Sequence, residues 1–189
     1  MSDTETKELI LRTVQQMLQE GTAAGDVTVR RIAERANIGT GTINYHYHSK
    51  DKLISDAVSG LINNMATELM TLNTAESEPL ERLKQFLLVT ADLSLQNYEM
   101  SRIQVAYDMN QGDLSICYYI IPILKEIFKS TKGETEIKLI AMALIASLQS
   151  ILLKKDAFFR YSGIELQNKT QREEAIDLLL KNMIAKEVL

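Results

Sequence analysis

The sequence predicts an all-α fold of about nine helices, and two observations carry that reading. Only 8 Gly and 2 Pro punctuate 189 residues, too few for the turns of a β-sandwich or a doubly wound α/β sheet. Apolar residues make up 46% of the chain and recur at the three- and four-residue spacing of amphipathic helices. Charged residues, at 24%, are enough to keep the opposite helix faces in water.

The elements follow in order. Residues 5–20 place Ile10, Val14, Met17 and Leu18 on one stripe, and Gly21 and Gly25 end that helix. Thr28 is the N-cap of a short helix with Ile32, Ala33 and Ala36 facing inward. Asn37 follows where a tight turn needs positive φ. A third short helix runs from about Thr40 to Tyr47. Ser49 caps a long helix from near Lys50 to about Leu72. After the polar stretch 73–78, Ser77 and Pro79 suit the first turn of a helix carrying Leu80, Leu83, Phe86 and Leu87. A shorter helix from Ser101 stops at Asn110-Gln111-Gly112. Asp113 caps the next, in which Pro122 removes a backbone donor and predicts a kink. Residues 134–157 form one strong amphipathic helix, and a last helix spans about Thr170 to Val188.

Charge narrows the possible partners. The net charge is −4, yet residues 1–52 hold seven Lys/Arg and seven Asp/Glu, so the excess acid lies beyond them. A polyanion-binding face must therefore be local, drawn from Arg30, Arg31, Arg35, Lys50 and Lys52. A single cysteine, Cys117, excludes an intramolecular disulfide framework and a CxxC metal site. The first residues lack a signal-peptide pattern and no run of 18 apolar residues occurs, so a cytoplasmic protein with no membrane partner is expected.

Residues 28–47 have the layout of a helix-turn-helix, pinned by Ile32, Ala33, Ile38 and Ile43. Ala33 is small enough for two helices to cross closely, and Ile38 plugs the turn. The second helix then offers Gly39-Thr40-Gly41-Thr42-Ile43-Asn44-Tyr45-His46-Tyr47, whose outer face is polar and aromatic-hydroxyl, to a major groove. Ordinary bundle helices carry a broader apolar stripe.

These residues resemble the TetR-type (tetracycline-repressor-like) transcriptional regulators. The resemblance runs through Thr28-Val29-Arg30-Arg31-Ile32-Ala33, Ile38-Gly39-Thr40-Gly41-Thr42-Ile43, Tyr45-His46-Tyr47, Ser49-Lys50-Asp51 and Leu53, about 45 residues in all. Asn37, Gly39 and Asn44 depart from the family pattern, which prefers Gly, Ser and an aromatic residue there. The resemblance implies that Thr28 binds a phosphate, Arg30 reaches a base or phosphate, and Thr40, Thr42 and Asn44 face base edges. It further implies that Gly41 permits close approach to DNA and that Tyr45, His46 and Lys50 fasten the other phosphate rail. Ile43, Tyr47 and Leu53 would be core. By the same resemblance residues 1–49 form the DNA-binding domain, and 50–189 form an effector-binding and dimerisation domain.

Competing chemistries fare worse. His46-x-His48 places two imidazoles on different sides of a helix, with no further His or Cys to complete a site, so no metal is expected. The Gly-Thr repeat lacks the Lys-Ser/Thr of a phosphate loop, and no cofactor is expected. A helical enzyme or small-molecule carrier lacks a nucleophile–base pair. An architectural DNA-binding protein without an effector is the third alternative, favoured by a C-terminal domain with no cavity.

The expected partners are double-stranded operator DNA, an apolar or aromatic small-molecule effector, and a second copy of the chain. Met65, Phe86, Tyr98, Ile103, Tyr107, Tyr118 and Tyr119 are the candidate effector-pocket residues, since Met adapts to ligands and a dry core must satisfy each tyrosine hydroxyl. The candidate dimer face combines the small and apolar residues Leu144, Ala146, Ser147, Ser150 and Ile151 with Ile176, Leu179, Leu180 and Met183 of the last helix.

Overall fold

The computed structural model describes residues 2–22, 24–72, 78–96 and 98–184, without the side chains of 24, 65, 66 and 68–72. Ten α-helices and a short 3-10 turn make up the regular structure of these residues. They are α1 (Asp3–Gln19), α2 (Val29–Ala36), α3 (Thr40–His46), α4 (Lys50–Leu72) and α5 (Pro79–Gln96). Then come α6 (Tyr98–Gln111), α7 (Cys117–Phe128), α8 (Glu134–Leu153), α9 (Lys155–Ser162) and α10 (Lys169–Met183). The fold is all-α, with one helix more than the apolar pattern predicts.

Local chemistry explains the boundaries. Ser2 and Glu5 form a capping box at the start of α1. Ser49 Oγ accepts from Lys52 N at 3.1 Å, as expected of the cap of α4. Pro79 is the first residue of α5, where its missing N–H costs nothing; Ser77 lies outside the described residues.

Three expectations need correction. Asp113 does not cap α7: its carboxylate accepts from Ser115 N at 2.7 Å and closes a local turn, and the helix starts only at Cys117. The helix foreseen over 134–157 is two helices, broken at Lys154 (φ −115°, ψ 33°), and the chain after the break brings Phe158 against the core. Helix α6 begins at Tyr98, earlier than Ser101. Pro122 lies inside α7, with its side exposed.

By compactness the chain divides into residues 1–65 with 96–112, and 66–95 with 113–189. In the first unit α1 packs on α2 and α2 on α3, around Ile10, Val14, Ile32, Ile43, Leu53 and Ile54. Helix α1 also lies close on α4. Gln15 donates to Ala57 O at 3.3 Å, and a Cβ at Gly60 would run into the Gln15 amide. Helix α6 belongs to this unit. The buried carboxylate of Asp108 accepts from Ser55 Oγ of α4 at 2.7 Å and from Gln104. The sequence expectation places a boundary at 49/50; compactness groups the start of α4 and all of α6 with the N-terminal helices.

The core of the second unit joins α5, α7, α8 and α10 through Leu83, Phe86, Ile120, Leu124, Leu144 and Ile176, among others. Arg172 of α10 is 9% exposed and donates to Asp92 of α5 at 2.8 Å and to Leu166 O at 2.6 Å. Helix α8 turns Ile137, Ala141, Leu144, Ile145, Leu148 and Leu152 inward. Leu139 (60% exposed) and Met142 (47%) lie on another face. By length and mean hydropathy α8 is apolar enough to cross a membrane, although charged and polar residues interrupt it, and a third of its most apolar window is buried.

Candidate nucleic-acid interface

Helix α2, the turn and α3 are set by backbone geometry that the sequence specifies closely. Thr28 is the N-cap of α2, its Oγ1 accepting from Arg31 N at 3.2 Å. Asn37 ends α2 in the left-handed region (φ 52°, ψ 47°), which Asn tolerates because its short amide bonds locally. Ile38 N returns to Ala33 O at 3.0 Å and closes the turn. Gly39 is the N-cap of α3 and supplies no side-chain bond, so α3 starts without that stabilisation.

One apolar anchor holds α3 down. Ile43 is 1% exposed, and Tyr47, its C-cap, is 4% exposed. Outward from that anchor, Thr40, Gly41, Asn44 and Tyr45 are exposed and Thr42 is half-buried. A Cβ at Gly41 would meet nothing within 4 Å, so the chain's own packing does not require glycine there. The open space is available to a partner. Between α2 and α3 runs a groove of about 410 Å³ lined by Arg30, Glu34, Asn37, Ile38, Gly39 and Thr40, among others.

The cations are less free than their number suggests. Arg30 pairs with Glu34 at 2.9 Å, Arg31 with Asp26 at 3.5 Å, and Lys52 with Asp56 at 2.8 Å. Arg35 grips Glu20 through its two terminal guanidinium nitrogens, and that hydrogen bonding holds the Glu20 carboxyl below its ordinary value. Lys50 has no ion pair among the described residues and is half-buried. His46 is turned inward. Its side chain is 6% exposed, its Nδ1 is 3.8 Å from Asp3 of α1, and its ring meets Tyr45 edge-on. The imidazole is turned toward α1.

The remaining expected residues scatter more widely. Phe86 is buried and stacks on the half-buried Tyr119, ring centroids 6.4 Å apart. Tyr118, 67% exposed, faces solvent and so lines no interior pocket. In the first unit, Tyr98 lies under Arg102, Tyr107 under Lys52, and Ile103 is half-buried. The Met65 side chain lies outside the described residues. Among the dimer candidates, Leu144, Ile176 and Leu180 are consumed in the core of their own unit. Ala146, Ser147, Ile151, Leu179 and Met183 are half-buried and Ser150 is exposed. The sequence reading passed over Leu139, Met142 and Leu178, which are about half exposed or more and stand out of register with the buried residues of α8 and α10. Cys117 is buried, and burial pushes its thiol up.

Comparison with known proteins adds the following. Residues 10–57 match the bacterial regulatory proteins, tetR family. The nucleoid occlusion factor SlmA of Sodalis glossinidius is 21% identical over 77% of this chain and 80% of its own length. The fold is shared with Thermus thermophilus FadR, a TetR-family transcriptional repressor in complex with lauroyl-CoA. That likeness has a TM-score of 0.72 and 20% identity over 94% of each chain. It is also shared with BioQ in complex with its double-stranded DNA operator, at a TM-score of 0.64 and 14% identity, over 95% of this chain and 98% of that one.

Proposed function

We propose that this chain, whose residues 10–57 match the tetR family of bacterial regulatory proteins, is a homodimeric repressor of that kind that leaves its operator when a small molecule binds. Residues 1–49 carry DNA reading, and residues 50–189 carry effector binding and dimerisation. The observation that supports this best is α3 itself, with Ile43 as its buried anchor and Thr40, Gly41, Asn44 and Tyr45 open to a partner. Thr40, Thr42 and Asn44 then read base edges, Asn44 as a bidentate partner of adenine. Thr28, Arg30, Tyr45 and Lys50 hold the phosphate rails.

The effector is apolar or aromatic with one or two polar groups. The neighbour from Thermus thermophilus holds lauroyl-CoA, and a long acyl chain is the apolar effector we favour. It acts by population shift, binding best to a dimer whose recognition helices are wrongly spaced for successive major grooves. The site of action is the cytoplasm.

A duplex pool of random sequence, selected on the purified protein, supplies the test. Lys50→Ala should weaken binding to every duplex and flatten the log–log salt dependence by about one unit. Asn44→Ala should instead change which bases are preferred, at about 1–3 kcal/mol per affected position. If Lys50→Ala leaves both affinity and salt slope unchanged, the phosphate assignment falls. Native mass spectrometry of the purified protein reads the dimer mass and any effector carried along.

A further inference from the structure

Each arginine of the N-terminal cluster has a carboxylate of its own within ion-pair distance, and one of these carboxylates is placed differently from the rest. Glu34 lines the α2–α3 groove with Arg30, Asn37, Gly39 and Thr40. Glu20 and Asp26 are not among its lining residues. Glu34 and Arg30 are widely open to solvent, with side chains 61% and 85% exposed, so burial does not lock their 2.9 Å pair.

Resting on the DNA-binding reading above, we propose that Glu34 is a specificity-determining residue, an internal anion that competes with DNA phosphate for Arg30. Sequence-independent binding is driven almost wholly by counterion release at Lys and Arg. Those counterions leave the DNA only where a cation neutralises a phosphate, and an arginine held by a carboxylate neutralises none. The Glu34 charge, moreover, repels phosphates within a Debye length of about 10 Å at 0.1 M salt. On random DNA the pair therefore stays closed and Arg30 contributes nothing. On an operator, base contacts from α3 hold the duplex close, and Arg30 exchanges Glu34 for a phosphate. The same carboxylate thus weakens wrong complexes more than the right one, which is how a repulsive element produces discrimination.

The test compares the full-length wild-type chain with Glu34→Gln on two labelled probes, a random-sequence duplex and a duplex selected by the wild-type protein. For the random duplex, Glu34→Gln should steepen the salt slope by about 0.9 and tighten binding about eightfold at about 0.1 M salt, the increment of one added phosphate contact. For the selected duplex the slope should not change. The double variant Arg30→Ala/Glu34→Gln should return the random-duplex slope to its wild-type value. Ile32 and Ala33, which anchor α2, are untouched, and circular dichroism checks the helix.

An unchanged random-duplex slope overturns the proposal. So does equal tightening of both duplexes, which would make Glu34 a general brake. Weakening confined to the selected duplex would make Glu34 a reader of a cytosine amino group instead, which also overturns it. Failure of both chains to bind any duplex at about 50 mM salt sinks the DNA-binding reading itself and this proposal with it.

Discussion

Tyr47 carries two chemistries in one side chain. Its ring is 4% exposed and closes the end of α3, while its hydroxyl has no hydrogen-bond partner among the described residues. Lys7 sits 5.7 Å from the ring centroid, and Tyr47 borders a groove of about 440 Å³ together with Glu8, Asp56, Ser59 and Asn63. Burial, and then the charge of Asp56, push the phenol up to about 12. The folded chain therefore holds this proton more tightly than the unfolded chain, whose tyrosine titrates near 10. Below that ordinary value the contribution to stability is constant, and it is lost as pH rises from about 10 through 12. Tyr47→Phe should remove this alkaline loss, so the stability difference between variant and wild type should widen above pH 10, in the variant's favour. At neutral pH the variant should be more stable by about 1 kcal/mol, since a buried hydroxyl without a partner is deleted. Chemical denaturation at several pH values measures both. The ring was legible as core in the sequence. The unpartnered hydroxyl was not, because the side chains around it come from α1 and from beyond the first turn of α4.

Helix α10 shows the same limit one level up. Its apolar period announces Ile176 and Leu180, yet Arg172 reads as part of a charged, solvated opening. In the structure Arg172 ties three segments, reaching Asp92 on α5 and the carbonyl of the buried Leu166. Arg172→Ala should therefore cost about 2–4 kcal/mol, because it strips a buried carbonyl of its donor and Asp92 of its partner. Arg172→Lys should recover only part, as an ammonium cannot reproduce the fork. Thermal melts of the two variants check this, and equal stability of Arg172→Ala and wild type would remove the tie from the account. The break at Lys154 was equally hidden. Residues 134–157 keep a helical period throughout, and only the Lys154 backbone (φ −115°, ψ 33°) shows where α8 ends and α9 begins.

At the scale of the whole molecule, the apolar composition of α8 exceeds what one core face needs. Leu139, Met142, Ala143, Ala146 and Ser150 follow helical spacing, with Leu139 and Met142 about half exposed or more. Leu178 on α10 is half exposed as well. We propose that a second copy covers these residues, small side chains allowing the α8 helices to approach. Two recognition helices about 34–36 Å apart would then read successive half-sites. Ala146→Arg with Ser150→Arg should yield a folded monomer, read by sedimentation, that loses operator affinity. Unchanged dimer mass with unchanged affinity would place the interface elsewhere.

Some of this was decided by residues acting on their neighbours. The caps at Thr28 and Ser49 and the left-handed turn at Asn37 depend on contacts within a few residues, and the one apolar residue Ile43 among the polar residues of α3 is a pattern of neighbours. Period and turn chemistry therefore reveal them in the sequence. The pairing of Arg30 with Glu34, one helical turn apart, is local too, though its place in the groove depends on how α3 crosses α2. Other features required the assembled chain. The inward turn of His46 toward Asp3, the loss of Leu144 and Ile176 to their own core, and the union of Asp108 with Ser55 join residues distant in sequence. Apolar period says that a residue is buried, not against what, and tertiary packing alone distributes one stripe between a core and a surface.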